Sequence, residues 1–282
     1  MVDVYVASAF SKNKKGGNKA GIVFNRPDLT TGQKMEIARQ LGYSETAFVS
    51  DSRMADFKLQ YYTPTEEVPL CGHATIAAFS TLRILGMLDK EQLTIETKSG
   101  ILNIQVKEDG LILMEQNCPA YFDILPPDLF SDCIEKDFIN GDFPIQIVST
   151  GLSDVMLPVD TKEHLETLSP DFKMMAELSK EKNVVGVHAF TLIEKSEITA
   201  ICRNFAPLYG IDEESATGTS NCALACYLFK YYKKQDQYIF EQGYNMGAIS
   251  RIIVNIAYHE DVIDSVHVGG YGYLLGQQTV SV

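Results

Sequence analysis

The chain has 282 residues, of which 45% are hydrophobic and 22% are charged, and its formal net charge is −13. This size and composition predict a soluble globular protein with one large domain or, preferably, two domains of ordinary size. The negative charge repels phosphate backbones, and no apolar run reaches the roughly 20 residues that a membrane helix needs. We therefore expect no nucleic-acid partner and no membrane association.

The cysteines are scattered along the chain, at Cys71, Cys118, Cys133, Cys202, Cys222 and Cys226. No Cys-x-x-Cys pair is present, which argues against a zinc ribbon. The N-terminus is typical of a strand and not of a signal peptide. These features predict a cytoplasmic protein with reduced thiols, most of them buried.

The first half of the chain begins with predicted strands at residues 1–10 and 20–24, then an amphipathic helix over 29–42 with a Thr cap and Gly42 as its stop. Residues 43–50 predict a strand that enters the core, with Glu45 at its entrance. Another strand is expected over 57–63. After a first apolar helix, residues 93–115 predict a run of strands with a hairpin at Asp109-Gly110.

Residues 118–145 predict loops with a weak helical patch, and the second half then repeats the order of the first. Strands are expected over 145–159, a helix over 162–182, a strand pair over 184–203, a second apolar helix, and strands over 238–258 and 265–280. This parallel of order indicates a duplicated architecture.

Each half has a small-residue loop that runs into an apolar helix. The first loop leads from Glu67 through Cys71, Gly72 and His73, and the second leads from Glu214 through Thr217 to Gly218. A helix with no polar face should be buried, yet its first turn still has free N–H groups and a positive dipole end. Glycine would let a ligand approach that backbone.

Two such helix starts facing each other would bind an anion such as a carboxylate. The alternative is that both are ordinary core helices whose first turns are closed by polar caps.

Glu45 is the best candidate for a catalytic base, because partial burial at the start of an apolar strand would raise its pKa. The alternative is an exposed turn residue. His73 and Glu214 are further candidates. The alternatives are that His73 is a helix cap or a hydrogen-bonded core residue, and that Glu214 only interacts with the positive end of a helix dipole. No dinucleotide, Walker, nucleophile-elbow or His-Glu-x-x-His motif is present. We therefore expect no cofactor, no metal and a small anionic substrate.

The residues resemble the phenazine-biosynthesis PhzF-like family, relatives of diaminopimelate epimerase and proline racemase, over nearly the whole chain. The matching stretches are Gly16-Gly-Asn18, Ser44-Glu45-Thr-Ala-Phe-Val, residues 62–75, Val148-Ser-Thr-Gly-Leu152, residues 203–207, Ala216-Thr-Gly218, Glu241-Gln-Gly243, Met246-Gly247 and Val268-Gly-Gly270. Together and in this order they are highly specific.

The resemblance implies an α+β fold of the diaminopimelate epimerase type. In it, two similar domains each consist of a mostly antiparallel sheet curled around a central helix, with the active site in the cleft between them. The expected domains are residues 1–117 with about 268–282, and residues 118–267. The resemblance also implies a homodimer.

The resemblance further implies a cofactor-independent isomerase similar to the one that isomerises trans-2,3-dihydro-3-hydroxyanthranilate, with a glutamate as proton shuttle. Glu45 matches that glutamate and His73 matches the family histidine. The carried-over set is catalytic Glu45, His73 and Glu214, with substrate contacts at Cys71, Gly72, Thr217, Gly218 and Thr219. Three residues depart from the family loop, since Glu214, Ser215 and Thr219 replace Asp, Pro and Ser.

Two other functions are considered. An epimerase or racemase would use two opposed thiols, and Cys71 matches the position of one of them. The second loop has no cysteine between Arg203 and Asn221, which argues against that mechanism. A metabolite-binding protein without turnover is the third possibility, and the presence of both Glu45 and His73 argues against it.

Overall fold

The computed structural model describes residues 1–282 and forms two compact units, residues 1–115 with 269–282, and residues 116–268. The helices are α1 (Thr31–Leu41), α2 (Gly72–Ile84), α3 (Lys162–Thr167), α4 (Phe172–Lys182) and α5 (Gly218–Tyr231). The strands are β1 (Val2–Ala9), β2 (Asn18–Phe24), β3 (Thr46–Ser50), β4 (Phe57–Tyr62), β5 (Glu67–Val68), β6 (Gln92–Thr97), β7 (Gly100–Val106), β8 (Ile112–Gln116), β9 (Ala120–Leu125), β10 (Ile145–Ser149), β11 (Ser153–Pro158), β12 (Gly186–Leu192), β13 (Ala200–Ala206), β14 (Ile211–Glu214), β15 (Gln237–Gln242), β16 (Ser250–His259), β17 (Val262–Gly270) and β18 (Tyr273–Val280). None of the helices combines the length and the apolar character that crossing a membrane requires.

The first unit is a mostly antiparallel sheet around α2. Strand β1 pairs with β18 and β2, β3 pairs with β4, β4 with β5, β6 with β7, and β7 with β8, all antiparallel. The pairings of β2 with β3 and of β4 with β6 are parallel. Helix α2 lies against β1, β2, β3 and β18, and its residues 73–82 are all buried. The prediction of a helix buried on every side is confirmed here.

The second unit repeats this pairing order around α5. Antiparallel pairs join β9 to β10, β10 to β11, β12 to β13, β13 to β14, and β15 to β16. Strand β11 is parallel to β12, and β13 is parallel to β15. Helix α5 lies against β10, β11, β12 and β16. The steps from β1 to β7 therefore recur from β10 to β16, which confirms the predicted duplication and the α+β fold.

Local sequence signals explain several element boundaries. The Thr30 side chain accepts from the Gln33 N–H while the Gln33 side chain accepts from the Thr30 N–H, and Gly42 ends α1 at φ +70°. Gly110 has φ +95° in the turn between β7 and β8, as the Asp-Gly pair predicts. Five of the six cysteines are buried and all are free thiols, as expected.

Two predicted boundaries are wrong. The single helix expected over 162–182 is two helices, because Pro170 interrupts the backbone hydrogen bonds and Asp171 starts α4 by accepting from two N–H groups. The loop expected after residue 118 contains strand β9, which pairs with β10 and whose side chains are mostly exposed. A strand that is exposed on both faces lacks the alternation that identifies strands in a sequence.

Gly186 on β12 lies very close to the backbone of β13, so the chain has no room for a larger residue there. A Cβ at Gly186 would lie 1.9 Å from the Phe205 carbonyl oxygen on the adjacent strand β13, so Gly186→Ala forces the backbone apart. We expect the free energy of unfolding to fall by about 3 kcal/mol or more in urea titrations.

Gly276→Ala is the matched control, since Gly276 also lies in a strand but a Cβ there meets nothing within 4 Å. Its unfolding free energy should stay within about 0.5 kcal/mol of the native value. Equal stabilities of the two variants would contradict the packing argument.

Candidate active site

Glu45 is held at the entrance of strand β3. Gly42 closes α1 in the left-handed conformation, and residues 43–45 then lead directly into Thr46. The Glu45 carbonyl oxygen accepts a hydrogen bond from the Gly21 N–H at 3.4 Å, and Thr46 is paired with Gly21 on β2 and with Tyr62 on β4. The backbone below the carboxyl group is therefore fixed from both sides by the sheet.

The start of α2 is anchored by a buried hydroxyl pair. The Thr75 side chain donates to the Cys71 carbonyl oxygen at 2.7 Å, and the Tyr61 hydroxyl lies 2.6 Å from the Thr75 hydroxyl. Cys71 occupies the cap position, but its side chain forms no capping hydrogen bond. A cap residue normally satisfies one of the free N–H groups of the first turn, so this helix start lacks the polar cap of the alternative interpretation.

The side chains of Glu45, Cys71 and His73 meet at this helix start. The His73 Nε2 atom lies 3.2 Å from Glu45 Oε2 and 3.5 Å from the Ser44 hydroxyl, and His73 Nδ1 lies 3.5 Å from the Cys71 sulfur. His73 and Cys71 are 6% and 8% exposed, and the Glu45 side chain is 19% exposed. A carboxyl group, a thiol and an imidazole thus form one cluster, in which Glu45 is the most exposed of the three.

Burial and the neighbouring groups act in opposite directions on this cluster. Burial raises the pKa of Glu45, but His73, with smaller contributions from Ser44 and Cys71, outweighs burial and lowers that pKa below its ordinary 4.5. Burial lowers the pKa of His73, whereas Cys71 and Glu45 raise it well above 6.5. At neutral pH the pair is therefore a carboxylate and an imidazolium.

The expectation that burial lifts the pKa of Glu45 toward neutrality is wrong. Burial does act in that direction, but the cation 3.2 Å away stabilises the charged carboxylate more strongly. Burial, assisted by the charge of Glu45, raises the pKa of the Cys71 thiol above 9.0, and His73 acts in the opposite direction.

These three side chains are also the candidate metal ligands of the chain. One sulfur, one imidazole nitrogen and one carboxylate oxygen all lie within 4.8 Å of one another. Such a mixed set suits a cation that accepts sulfur and nitrogen ligands. The cluster can thus hold protons or a cation, and the two uses exclude each other.

The second helix start is built on the same plan. Glu214 ends β14, Thr217 takes the cap position without a capping hydrogen bond, and Gly218 begins α5. The Thr217 hydroxyl instead donates to the Glu214 carboxylate at 3.0 Å. Thr219 follows in the first turn and is half-buried, and its carbonyl oxygen accepts from the Thr150 hydroxyl at 3.3 Å.

A buried glutamine fixes the shape of this second loop. The Gln242 side-chain nitrogen donates to the Glu214 carbonyl oxygen at 2.7 Å and to the Thr217 hydroxyl at 3.1 Å. Its oxygen accepts from the Asn221 side chain at 2.8 Å and from the Thr217 N–H at 3.3 Å. Gln242 is completely buried at the end of β15, so the loop is held by the sheet behind it.

The polar contacts continue into the core of the second unit. His188 lies between Asn221 and Asn204, Asn204 donates to the Ser220 hydroxyl, and Ser220 donates to Asp154 at 2.7 Å. Burial raises the pKa of Asp154 to about 7 against the effect of Ser220, and burial lowers the pKa of His188 to about 4. Both shifts are toward the neutral form, so His188 is neutral at pH 7 while Asp154 is about half protonated there.

An ion pair beside Glu214 orients the strand that carries it. The Arg203 guanidinium donates twice to Glu213, at 3.0 and 2.8 Å, and also to the carbonyl oxygens of Leu165 and Leu168. Because neighbouring residues of a strand point to opposite faces, binding Glu213 to Arg203 directs Glu214 to the other face.

The structure brings the predicted residues together in two groups, one in each unit. Glu45, Cys71 and His73 are in contact in the first, with Gly72 between the last two in sequence. Glu214 and Thr217 are in contact in the second, next to Gly218 and Thr219. Sequence reasoning missed Ser44, Gln242, Asn221 and Asp154 as parts of these groups. Only the Ser44-Glu45 and Glu241-Gln-Gly243 family stretches offered a signal.

Comparisons with known proteins agree with this architecture. The family model described as phenazine biosynthesis-like protein, PhzC-PhzF, matches residues 7–276. An uncharacterized isomerase of Clostridium acetobutylicum is 35% identical over 264 residues, which cover 86% of this chain and 87% of the relative.

Two solved structures are informative about the fold. The PhzF-family phenazine biosynthesis protein of Bacillus anthracis matches with a TM-score of 0.91 and 30% identity, covering 100% of this chain and 99% of that one. A probable proline racemase of Agrobacterium radiobacter K84 matches with a TM-score of 0.65 and 13% identity, covering 100% and 93%, which concerns the fold alone. The chain therefore belongs to the phenazine biosynthesis-like PhzC-PhzF family and, at the level of that family, is an isomerase.

Proposed function

We propose that the protein is a cofactor-independent isomerase that moves a proton on a small carboxylate-bearing substrate, similar to trans-2,3-dihydro-3-hydroxyanthranilate, with Glu45 as the acid and base. The observation that carries this proposal is the contact of Glu45 with His73 at 3.2 Å, between two side chains that are both largely shielded from water. A positioned carboxylate of this kind is what proton abstraction from carbon requires.

The charge state of the pair supports both halves of the reaction. Glu45 starts as a carboxylate and accepts the proton from carbon, while the C–H electron pair moves into the substrate. The protonated Glu45 then lies beside the His73 cation, which makes it a stronger acid than an isolated carboxyl group. It therefore returns the proton readily to another carbon of the substrate.

His73 would stabilise the negative charge that develops between these two steps. It is held protonated by its neighbours, so it can donate a hydrogen bond to the substrate or to Glu45 throughout the cycle. We place it among the catalytic residues for this reason.

The helix starts would bind the anionic groups of the substrate. The N–H groups at Gly72 and Gly218 lie at positive dipole ends without side-chain caps. A Cβ at Gly72 would meet only the Met114 methyl group, at 3.5 Å, so the protein's own packing does not require glycine there. A ligand that approaches the backbone would require it. We propose substrate contacts at Cys71 and Gly72 in the first unit, and at Thr217, Gly218 and Thr219 in the second.

Glu214 is the third catalytic residue of the proposal. Its carboxylate accepts from the Thr217 hydroxyl and its backbone is held by Gln242. A carboxylate fixed in this way can orient an amino or hydroxyl group of the substrate. Glu214 is one methylene longer than the family aspartate, and a displacement of about 1 Å is enough to change a reaction rate strongly. This favours a substrate that differs from the phenazine precursor.

The remaining features of the proposal rest on family resemblance. We propose a cytoplasmic homodimer that binds neither cofactor nor nucleic acid.

The monomer mass is 31.4 kDa, so light scattering across a concentration series should return twice this value. A monomer at every concentration would contradict the dimer.

Glu45→Gln tests the mechanism directly. The amide keeps the size and the hydrogen-bonding oxygen but carries no titrating proton, so we expect the rate to fall by about 10²–10⁴ while the fold is kept. The measurement is isomerisation of trans-2,3-dihydro-3-hydroxyanthranilate, and incorporation of deuterium from deuterated water into a panel of small carboxylates.

Glu91→Gln serves as the control, because Glu91 is exposed and its charge is removed in the same way. It should retain the native rate. A Glu45→Gln protein with near-native turnover would remove Glu45 from the mechanism. Native protein that binds the carboxylates but exchanges no deuterium with any of them would favour the metabolite-binding alternative.

The pH profile of kcat/KM tests the charge state. A lowered Glu45 pKa keeps the carboxylate present to below pH 4.5, and a raised His73 pKa keeps the imidazolium present to above pH 6.5. Activity should therefore be level through neutral pH. It should fall below pH 4.5, where Glu45 becomes protonated, and again well above pH 6.5, where His73 loses its proton.

His73→Asn should move the acid limb to higher pH. Burial raises the Glu45 pKa, and the variant lacks the histidine that mainly lowers it. The limb is read from rates measured at constant ionic strength. An acid limb that does not move would show that His73 does not set the protonation of Glu45.

A further inference from the structure

The cluster of Glu45, Cys71 and His73 has a second chemical capacity besides holding protons. We infer that it is a binding site for one divalent cation of the zinc type, and that occupation of this site inhibits the enzyme. The inhibitory consequence rests on the proposed role of Glu45, whereas the binding itself does not.

The spacing of the ligand atoms fits tetrahedral coordination. Bonds of about 2.0–2.3 Å in a tetrahedral zinc site place neighbouring ligand atoms about 3.3–3.6 Å apart. Here His73 Nε2 lies 3.2 Å from Glu45 Oε2 and 3.8 Å from the Cys71 sulfur, and all three ligand atoms lie within 4.8 Å. Small side-chain rotations therefore suffice to close the set around one ion.

The carboxylate supplies an independent reason to expect a ligand here. Glu45 Oε2 is buried and has no hydrogen-bond partner, although His73 Nε2 lies 3.2 Å away. A buried charged oxygen without a hydrogen bond is costly. A cation bound between Oε2, Nε2 and the sulfur would satisfy that oxygen.

The ligand types select the cation. Sulfur and imidazole suit zinc, cobalt and similar ions, whereas magnesium and calcium prefer oxygen ligands alone. Cys71 would bind as a thiolate and His73 as a neutral imidazole, with the displaced protons released to solvent. Three protein ligands leave a fourth position for water.

Occupation of the site would remove both functions of the pair. Glu45 Oε2 could no longer accept a proton from carbon, and His73 could no longer donate one. The cation would thus compete with protons for the same atoms and block turnover reversibly.

Cobalt(II) is the probe for the test, because its spectrum reports sulfur ligation and tetrahedral geometry. The reduced full-length protein, cleared of metal with a chelator, is titrated with Co²⁺. We expect one equivalent to produce a sulfur-to-cobalt charge-transfer band with visible tetrahedral bands, and one equivalent of Zn²⁺ to abolish them.

Cys71→Ser should abolish the charge-transfer band, whereas Cys118→Ser, which removes the exposed thiol, should keep it.

Glu45→Gln should keep the band but weaken binding by at least about 10-fold, since losses of even outer-shell partners cost about 10–100-fold. Glu45→Gln also serves if Cys71→Ser does not fold.

A native protein without the band, a band that survives Cys71→Ser, or an unchanged affinity in Glu45→Gln would each overturn the inference. The titration uses no substrate. A failed titration therefore leaves the isomerase proposal intact, and a protein that binds cobalt at Cys71 but turns nothing over leaves the cation site intact.

Discussion

Burial of the two central helices, of α2 over residues 73–82 and of α5 over residues 220–229, is the constraint on which the rest of the structure depends. Helices α2 and α5 are surrounded by sheet along their length, so nearly all of their side chains must be apolar or small. The first turn of each helix is the part where polar groups collect. The N–H groups there have no partner within the helix, and neither helix start has a side-chain cap. In each unit a group of partly or fully buried polar residues gathers at this helix start, and the proposed catalytic and binding residues belong to these two groups.

The first turns of α2 and α5 are surrounded by different kinds of side chain. At α2 the neighbours are ionisable, and Glu45 and His73 hold each other in their charged forms. At α5 the neighbours are mostly amides and hydroxyls, and the ionisable groups deeper in the core, Asp154 and His188, tend toward their neutral forms because burial dominates. The first helix start thus holds a pair of opposite charges, whereas the second is built mainly from hydrogen bonds of amides and hydroxyls, with the Glu214 carboxylate among the acceptors.

The sequence predicts those features that depend on local signals. The Thr30 cap, the Gly42 stop, the Asp109-Gly110 hairpin and the two apolar helices all appear as expected. Glu45 and His73 could be chosen as neighbours only through family resemblance, because they are far apart in sequence. The direction of the Glu45 pKa was not predictable from the local sequence, since it depends on a histidine brought to 3.2 Å by folding. Gln242 and Asp154 were missed for the same reason, as their partners lie in α5 and in the segment that leads into it.

The position of Gln242 has a consequence for how this enzyme family can diversify. The glutamine lies in β15, whose pairing with β13 and β16 does not involve the loop before α5. It holds that loop mainly through a backbone carbonyl, a backbone N–H and one hydroxyl. These hydrogen bonds are therefore largely independent of the side chains at positions 214, 215 and 219. Such a loop can exchange its side chains while its backbone stays in place, so the chemical character of this helix start can change without a new scaffold.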